Sequence, residues 1–166
     1  MFLNIVPARL SDYPFMCEAF AQANKEHLEM RPDLYRPVHK AATRTQFNLA
    51  VVARLLGHQP VTIQIAEVDG VQAGIVFAES LTRSKLSWSL FEKEACLENV
   101  IVLPEFRRQG IGSALVESAI DWAIDTGHTH MNGNILQVNE RSKAMFAKLG
   151  FTDDKRTVGL FLQPPR

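Results

Sequence analysis

The residues best placed to do chemistry lie in one stretch, Pro104-Glu105-Phe106-Arg107-Arg108-Gln109-Gly110-Ile111-Gly112-Ser113. An apolar run, Val100-Ile101-Val102-Leu103, leads into it. Out of it, Ile111, Ala114, Leu115, Ala119, Trp122 and Ala123 fall on one helical face. The pattern predicts a strand-to-helix turn with two glycines where the helix begins. The first backbone N–H groups of a helix have no partner inside it, and the macrodipole adds partial positive charge there. Glycine lets another molecule approach that backbone with no Cβ in the way. The chemistry predicted is anion binding, phosphate above all, by the N–H groups of Gln109 to Ser113. Arg107 and Arg108 are expected to add formal charge at its edge, and Gly110 and Gly112 to act through backbone access. No Gly-Lys-Ser/Thr follows and the glycine spacing is not that of a dinucleotide turn, so neither phosphate motif applies. The competing account is an ordinary strand–helix turn whose glycines only ease packing.

The rest of the chain must position that turn. Its 166 residues suit one domain, 1–166, with a real core. With 46% hydrophobic and 22% charged residues, the composition is globular. A formal net charge of zero argues against nucleic acid or an anionic membrane as the main partner. Two cysteines, Cys17 and Cys96, make no disulfide framework, and reduced thiols in the cytoplasm are expected. No apolar run approaches a membrane span. The N-terminus reads as a first strand and not as a signal peptide.

Ser11 and Asp12 offer an N-cap, and the stripe Met16, Ala19, Phe20, Ala23 predicts a helix to about His27. Pro32 and Pro37 break regular structure. Phe47, Ala50, Val51 and Leu55 line a second helix that ends at Gly57. Helix, proline loop and helix together form either a lid over a site or a plain surface cover. Val61 to Val68 alternates as a strand, Asp69-Gly70 is a hairpin signal, and Val71 to Ala78 is the return strand. Leu86 to Phe91 is ambiguous. Cys96 to Leu103 is the strand that enters the turn. The long helix ends near Thr126-Gly127. A fifth strand is expected around Ile135-Leu136-Gln137-Val138. Asn139 then caps a helix from Glu140 to Leu149, with Gly150 at its C-terminal end and Phe151 folding back onto it. Thr157 to Leu162 is a short final strand.

Arg107, Gly110 and Gly112 match the Arg/Gln-x-x-Gly-x-Gly/Ala turn of the GNAT N-acetyltransferase superfamily, and the stretch resembles that family's coenzyme A turn. Asn139, Ser142, Gly150 and Phe151 resemble its second block, Asn-x-x-Ala/Ser-x-x-x-Tyr-x-x-x-Gly-Phe, with Phe146 at the tyrosine position. Both blocks stand in the family's order, and the likeness covers nearly the whole chain. The resemblance implies an α+β fold: a mixed, mostly antiparallel sheet, splayed where two parallel strands part, flanked by about four helices. It also implies acetyl transfer from acetyl-CoA to a primary amine of a small molecule or peptide, by direct attack on the thioester. Coenzyme-binding positions carried over are Val100, Ile101, Val102, Arg107, Arg108, Gln109, Gly110, Ile111, Gly112, Ser113, Asn139, Ser142 and Phe146. A homodimer is a further family-level expectation.

In many members that tyrosine is taken to protonate the leaving thiolate, and Phe146 has no hydroxyl. A thiol with a pKa of about 8.5 leaves tolerably as a thiolate, so the departure leaves room for catalysis and also for a non-catalytic acyl-CoA-binding module. The amine must lose a proton to become a nucleophile. Glu98 is the first candidate base, because period-two alternation places it on the strand face of Val100 and Val102. Glu79, at the end of the return strand, is the second. His27, His39 and His58 fall in or near the helical lid. Cys96 reads as a buried structural thiol, and no residue spacing suggests a metal site.

Overall fold

The computed structural model describes residues 1–37, 61–82 and 93–153. The expected helix over Phe47 to Leu55, the stretch Leu86 to Phe91 and the expected strand Thr157 to Leu162 lie outside the described residues, as do His39 and His58.

Five strands form one sheet in the order β1-β2-β3-β4-β5, with β1 Leu3–Pro7, β2 Val61–Val68, β3 Val71–Thr82, β4 Lys93–Val102 and β5 His130–Gly133. The first four run antiparallel to their neighbours, and β4 pairs with β5 in parallel. Asp69 and Gly70 turn β2 into β3 with positive φ at both residues, 49° and 83°, as the hairpin signal predicts. Three α-helices are described: α1 Tyr13–Met30, α2 Ile111–Asp125 and α3 Glu140–Lys148. This is the mixed, mostly antiparallel sheet expected from the resemblance.

The two sheet faces are covered differently. Phe15, Met16 and Ala19 of α1 bury against Ile65, Ile75 and Ile101. Ile111, Leu115, Val116 and Ala119 of α2, with Phe146 of α3, bury against Ala66, Val76, Ala78 and Leu97 on the other face. The i, i+4 spacing of Ile111, Leu115, Ala119 and Ala123 gives α2 one continuous buried stripe. Its far end is closed by Thr126, whose hydroxyl donates to the Trp122 carbonyl at 2.6 Å.

Four elements differ in their bounds from the sequence reading. Helix α1 runs three residues past His27, to Met30. Strands β3 and β4 extend to Thr82 and start at Lys93, four residues beyond and three before expectation. The fifth strand is His130–Gly133, not Ile135 to Val138. Ile135 instead packs on the α2-side core, and the chain turns at Gln137 and Val138 into the Asn139 cap. An apolar run served packing there without entering the ladder.

Candidate functional site

The turn after β4 is built residue by residue. Pro104–Phe106 makes a single 3-10 turn, Arg107 is extended, and Arg108 takes a positive φ of 63°. Gly110 is the N-cap of α2 with φ 81°, and a Cβ added there would meet nothing within 4 Å. The left-handed backbone requires the glycine, and the space in front of it is open. No side chain caps α2, so the N–H groups of its first turn are left to an outside acceptor. That arrangement suits a phosphate group of the coenzyme. Gly112 has a second job beyond access: a Cβ there would come within 3.0 Å of the Met145 Sδ and 3.7 Å of Val102 Cγ2. Its missing side chain lets α3 and β4 close on α2.

Arg107 does not stand as a charge at the edge of this cradle. Its Nε donates to the Val102 carbonyl at 2.8 Å, and its Nη2 pairs with the Glu26 carboxylate of α1. Glu26 also accepts from Gln22 at 2.7 Å and from Arg141 Nη2 at 3.2 Å. Burial alone would raise the Glu26 pKa. The hydrogen bonds from Arg107 and Gln22 and the charges of Arg107 and Arg141 outweigh it and hold the carboxyl below its ordinary range. Arg107 is therefore neutralised, and the exposed Arg108 is the turn's remaining cation.

Strand β4 is paired on both edges only at its start. Glu94 to Leu97 align with His130 to Gly133 of β5. From Glu98 to Val102 that edge has no strand partner among the described residues. An open cleft of about 430 Å³ lies beyond, between Glu26, Glu29 and Met30 of α1, Arg107 of the turn and Val138 to Arg141 leading into α3.

The parting coincides with a bulge. Phe77 aligns with Asn99 and Ala78 with Leu97, so Glu98 is the extra residue. Leu97, Val100 and Val102 all join the core under α2, although 97 and 100 are an odd number of residues apart. The bulge has reversed the strand's phase. Glu98 is thus not on the face of Val100 and Val102. It lies on the opposite face with Cys96, whose Sγ donates to Glu98 Oε1 at 3.1 Å. Glu79 is the cross-strand partner of Cys96, so both candidate carboxylates flank one thiol. Burial, then the Glu98 hydrogen bond and the charges of Glu98, Glu79 and Glu94, push that thiol up to about 12. It is buried and neutral, as the sequence reading expects, and no nucleophile at neutral pH. At the start of the strand the fully buried Glu94 meets His130 Nδ1 at 2.8 Å.

The other expected site residues have packing roles too. Asn139 and Ser142 form one cap, Ser142 N–H donating to Asn139 Oδ1 at 3.1 Å. Phe146 is buried and meets Phe151 edge-on at 5.0 Å between ring centroids. His27 stacks on Tyr35, and burial, opposed by the Glu26 charge, keeps its pKa low and its ring neutral. The sequence reading missed Glu26, Arg141 and the Glu94–His130 pair. Each depends on partners 36 to 115 residues away, and no local pattern announces them. Among the described residues no group of His, Cys, Asp or Glu could hold a metal ion, and no helix is long and apolar enough to cross a membrane.

Comparison with known proteins agrees with this geometry. Residues 21–151 match the model of the acetyltransferase (GNAT) family. An aminoglycoside N(6')-acetyltransferase type 1 of Acinetobacter baumannii is 28% identical over 164 residues, covering 94% of this chain and 95% of that one. In fold, the BH1408 protein of Bacillus halodurans, solved as its F44R mutant, superposes with a TM-score of 0.81 at 18% identity, over 98% of this chain and all of that one. The aminoglycoside N-acetyltransferase AAC(6')-Iy, solved in complex with CoA, superposes with a TM-score of 0.68 at 20% identity, over 96% of this chain and 94% of that one. The open helix end, the parted strands and the family match converge: this chain belongs to the GNAT acetyltransferase family and is an acetyl-CoA-dependent N-acetyltransferase.

Proposed function

We propose that the acceptor is a cationic small molecule or peptide carrying a primary amine, and that Glu98 takes the amine's proton, directly or through one water. The carrying observation is the bulge, which sets Glu98 where β4 parts from β5 with Glu79 on the neighbouring strand. An alkylammonium with a pKa of about 10.4 is charged at neutral pH and does not attack a carbonyl. Two carboxylates attract that cation, and one of them accepts its proton. The aminoglycosides named for the relatives are amine-rich molecules of this kind.

Acetyl-CoA supplies the acetyl group activated as a thioester, which the free amine attacks directly. The chain supplies the rest. The first N–H groups of α2 hold the diphosphate, the open edge from Glu98 to Ile101 receives the peptide-like arm, and a backbone N–H of that edge meets the developing negative oxygen.

Release of free coenzyme A thiol across a panel of aminoglycosides, polyamines and lysine-like amines tests this reading. Turnover should concentrate on polycationic acceptors. Glu98→Gln should lower kcat about 10²-fold or more with acetyl-CoA affinity little changed, and Glu79→Gln should mainly raise the acceptor KM. A Glu98→Gln variant with the parent's pH–rate profile would move the base elsewhere. Coenzyme binding with no thiol release on any amine would favour the non-catalytic acyl-CoA-binding module.

A further inference from the structure

The family's turn arginine is committed here to two protein acceptors, the Val102 carbonyl and the Glu26 carboxylate. The direction of that carbonyl matters. Leu103 N–H donates to the Ala73 carbonyl of β3 at 2.9 Å. Neighbouring residues of an extended strand send their polar groups to opposite edges. The Val102 carbonyl therefore faces the open edge, the one left from Glu98 onward without a strand partner among the described residues.

We propose that Glu26 and Arg107 form a register stop on that edge: Glu26 holds the guanidinium on the Val102 carbonyl, so that the coenzyme's peptide-like arm pairs with β4 only upstream of Val102 and its thioester is set beside the Glu98 bulge. This rests on the reading above that the arm lies along β4. A ligand paired to a strand edge slips in steps of two residues, about 6.6 Å at roughly 3.3 Å per residue. One such slip carries the thioester out of reach of a group that must act within about 3 Å. A carbonyl already engaged removes the slipped register. The carboxylate that holds the guanidinium on that carbonyl is itself fixed by Gln22 and Arg141, so α1 and the first turn of α3 both bear on the stop. Neither Glu26 nor Arg107 touches the reacting atoms; both are positioning residues.

The test compares Glu26→Gln, Arg107→Met and Arg107→Gln with the parent, using coenzyme A and adenosine 3',5'-bisphosphate, which carries phosphates but no arm. Calorimetry should give bisphosphate affinities within about twofold of the parent for all three. Turnover should fall about tenfold or more in Glu26→Gln and Arg107→Met, and Arg107→Gln, which keeps a side-chain N–H donor, should recover most of it. The double variant Glu26→Gln/Arg107→Met should be no slower than Arg107→Met alone, because the two act as one unit. A tenfold loss of bisphosphate affinity in Arg107→Met would make the arginine an anion ligand and overturn the proposal. So would unchanged turnover in folded variants, or losses that multiply in the double variant. If Glu26→Gln does not fold, the two Arg107 variants decide, since they differ only in the donor. A parent that fails to bind coenzyme A removes the underlying reading; a parent that binds and turns over, with variants that keep kcat, removes the register stop alone.

Discussion

The Cys96 thiol donates to the Glu98 carboxylate across one step of β4, Sγ to Oε1 3.1 Å, from the position just before the bulge. This contact fixes one carboxylate oxygen and leaves the other for an acceptor. It also has a titration consequence. An ordinary thiol ionises near pH ~8.5, whereas this one is pushed up to about 12. The unfolded chain therefore releases the proton first as pH rises. Stability from the neutral thiol is fully present below about pH 8.5 and lost progressively between there and about pH 12. Two outcomes are expected. Native Cys96 should resist iodoacetamide at pH 9, read by mass spectrometry, and the melting temperature of the parent should fall relative to Cys96→Ser as pH rises above about 8.5.

Gly110 and Gly112 should separate when replaced. Gly110 needs a left-handed backbone but faces open space. Asparagine tolerates that conformation, so Gly110→Asn should keep the fold and place a side chain where the phosphate approaches. Calorimetry should show coenzyme A affinity down about tenfold, or about 1.4 kcal/mol. Gly112→Val instead meets Met145 and Val102, and should also cost about 1–3 kcal/mol of stability by overpacking. Adding Met145→Ala should restore melting temperature and not affinity.

Salt should weaken coenzyme binding through Arg108 and not through Arg107. Arg107 is neutralised by Glu26, while Arg108 is exposed at the turn. Exposed charge is screened at ordinary ionic strength, with a Debye length of about 8 Å. Arg108→Ala should flatten the dependence of affinity on salt. Equal flattening by Arg107→Met would contradict the assignment.

Glu26 should make stability pH-dependent on the acid side. Its carboxyl is held below the ordinary value of about 4.3. The linked stability is thus fully present above that value and lost as pH falls through the folded pKa. The gap in melting temperature between parent and Glu26→Gln should be widest near neutral pH and close below about pH 4. A gap unchanged from pH 7 to pH 3 would mean that the pair contributes shape and not charge.

What the sequence made legible follows from the range of the forces involved. The hairpin at Asp69-Gly70, the Gly110 helix start and the Asn139–Ser142 cap are set by residues within four positions of each other, and all three are present. The Glu98 phase failed because alternation assumes an uninterrupted ladder, and the extra residue is visible only against β3. The fifth strand was misplaced because Ile135 is apolar for the core beneath α2, while His130 and Asn132, polar as they are, enter the ladder beside Glu94 and Cys96. Arg107 read correctly as part of the turn and wrongly as its charge, since nothing local shows that Glu26, 81 residues earlier, takes that charge.

Phe146 stands where the family often carries a tyrosine, and its ring is buried against Phe151 and the α2-side core. A working enzyme without that hydroxyl either draws the proton from another group or releases its thiolate unaided. Phe146→Tyr adds one oxygen with little change of shape. The expected result is faster turnover, most visible below the thiol pKa of about 8.5, where a thiolate gains most from protonation. The melting temperature decides how the hydroxyl is housed. Unchanged stability with a faster rate means that the oxygen reaches the sulfur. A loss of about 1–3 kcal/mol with no gain in rate means that it is buried without a partner, and that the site has been rebuilt around an apolar ring. A stable variant that loses all turnover would contradict the placement of Phe146 beside the coenzyme, because a donor there should never hinder the leaving thiolate.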